Sequence, residues 1–244
     1  GGTGRDVVNL TNAGTTTAKL GNGNNEININ GSGTTTIISG IDSDTINIGS
    51  DADVAGKTTI KAGKGENIIN INSDSFGEVV LAEEKVSATN IINFENGIDS
   101  NYSFTRSGND LIISNSDSKL TLTGYYLERT SKTKYADIKF KINGADDFTS
   151  LETLSAATGK PQTIAGKGTL VGSAGDDNFV SSTANDNITG NTGVNVIKFN
   201  GKFGNDTVNL TEGEHLVLDF SETEYTDWNV RRAISGRSEE RRVG

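Results

Sequence analysis

Set in rows of nine, residues 172–200, GSAGDDNFVSSTANDNITGNTGVNVIKFN, fall into columns. Asp177, Asp186 and Asn195 share one, Phe179, Ile188 and Ile197 a second, and Gly175, Ala184 and Gly193 a third. A unit of about six turn residues and about three strand residues accounts for them: glycine supplies the turn conformations, and the lone apolar residue points inward because strand side chains alternate. Two such units wind one coil with a strand on each side, so residues about 18 apart stack on one edge. Stacked coils lie about 4.8 Å apart, and a cation held about 2.4 Å from two oxygens fits that gap. Turn aspartates can therefore share a calcium ion, with turn carbonyls completing about six to eight oxygen ligands.

Composition agrees with strands and turns. The 244 residues are 32% hydrophobic and include 30 Gly, one Pro and no Met or Cys, which disfavours helices packed by Leu-rich stripes. The net charge of −10 argues against nucleic acid or an anionic membrane surface as partner and fits a polyelectrolyte that needs cations. No apolar run of about 18 residues occurs, so no transmembrane segment is predicted. Absent cysteine removes disulfide frameworks and thiolate metal sites. The chain opens inside the pattern, as GGTGRDVVNL, and is read as a piece of a longer protein. The last eight residues, RSEERRVG, resemble the in-frame translation of a sequencing adapter, so residues 237–244 are set aside as an artefact.

The pattern predicts an all-β chain in which parallel β-roll, or β-solenoid, segments flank a small β-rich domain with one short helix. Residues 1–78 form a degenerate roll, 79–160 the β-rich domain, 161–212 a second roll and 213–236 capping strands. In the first roll the rows include GGTGRDVVN with Gly4 and Asp6, SGIDSDTIN with Asp42 and Asp44, and AGKGENIIN, where Asn67 replaces the acid; Asp51 and Asp53 follow Asp44. The second roll adds Gly175, Asp177, Asp186, Gly193, Asn195, Gly204 and Asp206. These residues, Asn67 aside, are the thirteen candidate calcium positions. Asn25, Asn67 and Asn195, and Thr16 and Thr35, stand where an acid is expected. Asp186 and Asp206 can share an ion if one turn carries an insertion, whereas stacking pairs Asp177 with Asn195 and Asp53 with Thr35. Affinity follows ligand charge, so roughly two to four sites are expected.

These rows resemble the GGxGxDxUx repeat of RTX, or haemolysin-type, calcium-binding proteins. The match is best at Gly1, Gly2, Gly4 and Asp6, at Gly175 and Asp177, at Asp186, and at Gly204 and Asp206. The resemblance implies a parallel β-roll, calcium-triggered folding and export through a type I secretion system. The segment NIINFENGIDSNYSFTRSGNDLIISNSDSKLTLTGYY is similar to the related domain that often follows such repeats. Within it Leu111 and Ile113 share a strand face, NSDS turns, and Leu120 and Leu122 return in a hairpin. YADIKFKI places Ala136, Ile138, Phe140 and Ile142 on one face and Lys139 and Lys141 on the other. Thr149 and Glu152 form a capping box for a helix containing Leu151 and Leu154.

Other motifs are weaker. NSDSFGEVVLAE, residues 72–83, partly matches an EF-hand loop, but Phe76 and the strand-like flanks favour a solvated turn. His215 is the sole histidine, no HExxH or GxSxG occurs, and Tyr225 and Trp228 read as packing residues. Lys132, Lys134, Lys139 and Lys141 read as a solvated strand face, and GTTT at 14–17 and 33–36 as β-forming surface that would also suit ordering of water or ice. The leading functional reading is a non-catalytic calcium-binding module of a large exported toxin, adhesin or enzyme, secreted or at the cell surface, folding on calcium outside the cell. Any cell-surface or carbohydrate ligand is engaged through the parent protein. The alternative is a calcium-independent adhesive solenoid in which Asn and Thr ladders replace ions. A carbohydrate-active β-helix enzyme ranks third, because no compact Asp, Lys and Arg constellation is visible.

Overall fold

The protein is described by a computed structural model covering residues 1–244 except 12, 51–52, 83–84, 128–134, 173–174, 226–229, 235–236 and 242–244. Asp51, Glu83, Lys132, Lys134 and Trp228 lie outside the described residues. The chain is nearly all β, with one short helix, and divides into two compact units, Gly1–Thr163 and Ile164–Gly244.

The first unit runs through β1 (Val7–Leu10), β2 (Thr15–Lys19), β3 (Glu26–Ile29), β4 (Thr34–Ile38), β5 (Thr45–Ile48), β6 (Lys57–Lys61), β7 (Gly65–Ile71) and β8 (Glu78–Leu81). It continues with β9 (Ala88–Phe94), β10 (Ser103–Ser107), β11 (Asp110–Ser114), β12 (Lys119–Leu122), β13 (Asp137–Ile142) and α1 (Leu151–Ala156). Strands sort alternately into two sheets. One is parallel in the order β1, β3, β5, β7, β9, β13; the other stacks β2, β4, β6, β8 and β12 in parallel and turns antiparallel through β11 and β10. The strands of residues 79–160 thus extend the same two sheets as residues 1–78.

Alternation fixes the core. Ile27, Ile46, Ile69 and Ile92 stack in register at zero exposure, and Ile37, Ile60, Leu81 and Leu122 stack on the facing sheet. Each such side chain contributes about 1.5–3 kcal/mol by leaving water. Leu111, Ile113, Leu120 and Leu122 are buried across the β11–β12 hairpin, as expected, and Phe140 faces inward while Lys139 and Lys141 stand outward over the Phe148 ring. Lysines on β13, the last strand of its sheet, also discourage further strand pairing.

Three local expectations change. The helix is capped one residue later than predicted: Ser150 Oγ accepts from Thr153 N, while Thr149 N donates to Phe140 O and holds Thr149 against β13. The EF-hand-like stretch is a packed turn rather than a solvated one, with Phe76 buried, its N–H bonded to Ser118 Oγ, and Tyr102 Oη donating to Asp74 Oδ1. Coil length in this unit is 19 residues and then 23, not 18, because strand register constrains the strands and leaves the turns free to lengthen.

β14 (Gln162–Ala165) precedes the second unit's own coils, formed by β15 (Thr169–Val171), β16 (Asp177–Val180), β17 (Asn187–Thr189), β18 (Gly193–Lys198), β19 (Thr207–Asn209) and β20 (Glu214–Asp219). Here β15, β17 and β19 stack in parallel on one side, and β16, β18 and β20 on the other. The coil repeats at 18 residues and then at 20, so the nine-residue unit holds best where the sequence columns are strictest. Phe179, Ile188 and Ile197 are fully buried. β21 (Val230–Ile234) and β22 (Arg237–Arg241) form an antiparallel pair. No helix among the described residues is long and apolar enough to cross a membrane.

Glycine serves a second purpose beyond turn conformation. At Gly40, with φ of 109°, an added Cβ would lie 2.1 Å from Gly21 O of the neighbouring coil; at Gly204, whose φ is not positive, it would lie 2.2 Å from Ala184 O. Turn backbones of successive coils touch there, and no side chain fits between them. Gly108, with φ of 61°, has open space around it. Gly40→Ala is therefore expected to cost at least about 2 kcal/mol and Gly108→Ala about 1 kcal/mol, measured by urea denaturation; equal costs would mean that backbone conformation alone selects glycine at position 40.

Candidate metal centres

The clasped turns carry pairs of polar residues entering the next strand. These are Asn24-Asn25, Ser43-Asp44, Glu66-Asn67, Asp176-Asp177, Asn185-Asp186 and Asn205-Asp206. The second position, at Asn25, Asp44, Asn67, Asp186, Asn195 and Asp206, reaches back one coil, where its side-chain oxygen accepts a backbone N–H. Asn25 Oδ1 takes Asp6 N at 2.9 Å, Asp44 Oδ1 takes Asn25 N at 2.8 Å, and Asn67 Oδ1 takes Asp44 N at 3.1 Å. In the second unit Asn195 Oδ1 takes Asp177 N at 2.9 Å and Asp206 Oδ1 takes Asp186 N at 2.8 Å. The first residue reaches forward: Ser43 N donates to Asn24 Oδ1, Val194 N to Asp176 Oδ1 and Asn205 N to Asn185 Oδ1. Adjacent turns are thus clasped in both directions. Where a clasp uses a single acceptor oxygen, aspartate and asparagine serve equally.

The clasps occupy one edge of the first unit, ahead of β3, β5 and β7, and both edges of the second, ahead of β16 and β18 on one side and β17 and β19 on the other. Asp53 lies on the unclasped edge of the first unit, exposed, where its Oδ1 accepts from Ser73 Oγ at 2.6 Å. It is not stacked on Thr35, which pairs in register with Thr16 and Thr58 and faces inward with Thr58. The glycine positions line the clasped turns: Gly4 O approaches Gly23, Gly175 O approaches Gly193, and Gly204 abuts Ala184 O.

Acid and amide part company in the atoms left over. Asp44 and Asp186 are 1% and 2% exposed, and Asp177 is fully buried. Asp186 uses both carboxylate oxygens, Oδ1 for Gly168 N and Oδ2 for Ser182 N. Asp44 Oδ2 and Asp206 Oδ2 are buried with no hydrogen-bond partner. Each has a second acid beside it. Burial first, and the nearby charge of Asp42 besides, pushes the Asp44 carboxyl above the usual carboxylate range; burial first, and then the charge of Asp186, does the same to Asp206. Asp42 adopts φ of 79° in a turn position that is glycine in the neighbouring coils, Gly23 and Gly65, while its Oδ2 accepts from Gly23 N. A non-glycine residue held there is strained.

Among the described residues, Asp42 with Asp44 and Asp186 with Asp206 are the places that combine an orphaned buried oxygen with a neighbouring carboxylate and could hold a cation. Asp6 and Asp177 face Asn25 and Asn195 in their clasps, which supply no second charge. Among the described residues no three His, Cys, Asp or Glu side chains converge. Sequence columns located the second residue of each pair but not the first; the recurring polar dipeptide was the available signal. No protein-family model and no curated protein matches the chain.

In chelator Asp44 gives a pH dependence of known sign. Its folded-state value stands above its unfolded one, so its contribution is complete below the ordinary aspartate value of about 3.9 and is lost as pH rises through the elevated value. Glu78, lowered by its Lys57 hydrogen bond, and Asp219, lowered by its Ser221 hydrogen bond, act oppositely but at the surface. Urea midpoints in chelator are expected to fall from mildly acidic to neutral pH, and less so in Asp44→Asn; identical slopes would mean that Asp44 carries no buried charge.

Proposed function

We propose that the chain is a non-catalytic β-roll module of a large exported protein, secreted or displayed at the cell surface, whose folding is coupled to calcium outside the cell. The observation that carries this reading is the pair of buried carboxylate oxygens, Asp44 Oδ2 and Asp206 Oδ2, that no group of the protein satisfies. A buried carboxylate without a partner costs several kcal/mol, and a divalent cation between two neighbouring acids removes that cost and gains Coulomb energy in a low-dielectric edge. Asp42 and Asp44 would hold one ion and Asp186 and Asp206 another, with further oxygens drawn from turn carbonyls, the hard donors calcium prefers. Two such places agree with the lower end of the number expected from charge alone.

A second reading, a calcium-independent adhesive scaffold, draws on the amide columns. Asn25, Asn67 and Asn195 complete their clasps without charge, and Asn9, Asn28, Asn47, Asn70 and Asn93 form a side-chain ladder along the outer face of one sheet with steps of 2.7–3.1 Å. Coils built only on such amides need no ion.

Calorimetric titration separates the readings. The intact chain is expected to bind calcium and to give little heat with magnesium, whose small octahedral shell suits stacked turns poorly. Asp206→Asn, which keeps the clasp oxygen and removes the charge, is expected to weaken one site at least about tenfold. Absence of calcium heat in the intact chain would favour the scaffold reading.

A further inference from the structure

We infer that the two units answer calcium differently: the first is folded without it and the second folds only with it, so that the module is a constitutive solenoid joined to a calcium-conditional one. This rests on the calcium reading above, and on a separate comparison of what else holds each unit together.

The first unit has support that owes nothing to ions. Among the described residues, twenty-four buried apolar side chains form its core, against six in the second unit. Its outer asparagine ladder runs unbroken over five coils, Asn9 to Asn93, whereas the described residues of the second unit show one such step, from Asn209 to Asn187. Its clasps alternate acid with amide, so that Asp44 is the only buried carboxylate among the described residues of the unit, placed between Asn25 and Asn67. The antiparallel β10–β11–β12 layer adds local contacts that form at low loop-closure cost.

The second unit has the opposite balance. Two of its clasp acids, Asp177 and Asp186, are buried, and Asp206 stacks directly on Asp186, acid over acid, with one oxygen unsatisfied. Asp176 and Glu214 add charge along the edge that also holds Asp177. A small core must then outweigh both the ordering of glycine-rich turns and the mutual repulsion of these carboxylates. A cation at Asp186 and Asp206 changes that balance by mass action, since it binds only the wound coil.

Hydrogen–deuterium exchange on the intact chain, read by peptide, tests this in chelator, in magnesium and in calcium. In chelator, peptides spanning Glu26–Ile48 and Gly65–Ile71 are expected to be protected, while those spanning Asp177–Val180 and Asn187–Lys198 exchange at close to unfolded rates. Calcium, but not magnesium, is expected to slow the latter on the order of a hundredfold. If calcium is needed to protect both units, the division between them is wrong and the calcium reading stands. If both are protected in chelator and calcium changes neither, both fail. If the second unit stays unprotected in calcium, both fail as well.

Discussion

Parallel stacking of tight turns leaves backbone N–H groups pointing at the neighbouring coil, and the structure depends on giving each of them an acceptor. Within the strands the ladder does this; at the edges it cannot, because the turn backbone has left the sheet. The two-residue clasp fills that gap, with one side chain reaching forward and the next reaching back, as at Asn185 and Asp186 or at Ser43, whose Oγ accepts from Glu66 N, and Asp44. Close approach of the turns follows from the reach of these short side chains, and glycine at Gly21, Gly40, Gly63 and Gly204 follows from the close approach.

The clasp separates geometry from charge. An oxygen on a short side chain holds the coil, and whether it belongs to a carboxylate or an amide does not matter to the hydrogen bond. It matters to what remains, since asparagine leaves a neutral amide that can donate onward, as Asn67 Nδ2 does to Asn90 Oδ1, whereas aspartate leaves a charge that needs a counterion, a proton or water. Substitution between the two residues thereby tunes a coil from self-sufficient to cation-requiring without altering its path. The alternation Asp6, Asn25, Asp44, Asn67 and the pair Asp186, Asp206 are two settings of the same device.

Much of this was legible in the sequence. The column of Phe179, Ile188 and Ile197 located the inward face, and the spacing of Asp186 and Asp206 identified a stacked pair across an inserted turn, because both depend on local alternation and on a coil nearly constant in length. The first unit was less legible. Its clasps occupy a single edge, so half its turns carry no acid column, and Asp53 was matched to Thr35 by arithmetic that lengthened turns invalidate. The forward-reaching residues, Asn24 and Asp176, look like ordinary turn residues until the neighbouring coil is placed beside them. Gly56 and Gly204 are glycine for contacts made about a coil away, which no local reading reveals.

The most direct measurement is the thermal melt, in chelator and in calcium, of the chain carrying Asp44→Asn and Asp206→Asn together, each of which keeps the one clasp oxygen in use. If oxygen holds the coil and charge makes it conditional, this variant keeps its β spectrum in chelator, melts above the parent there, and gains nothing from calcium. A variant that loses its β structure in chelator, or that calcium still stabilises as it does the parent, would contradict the account.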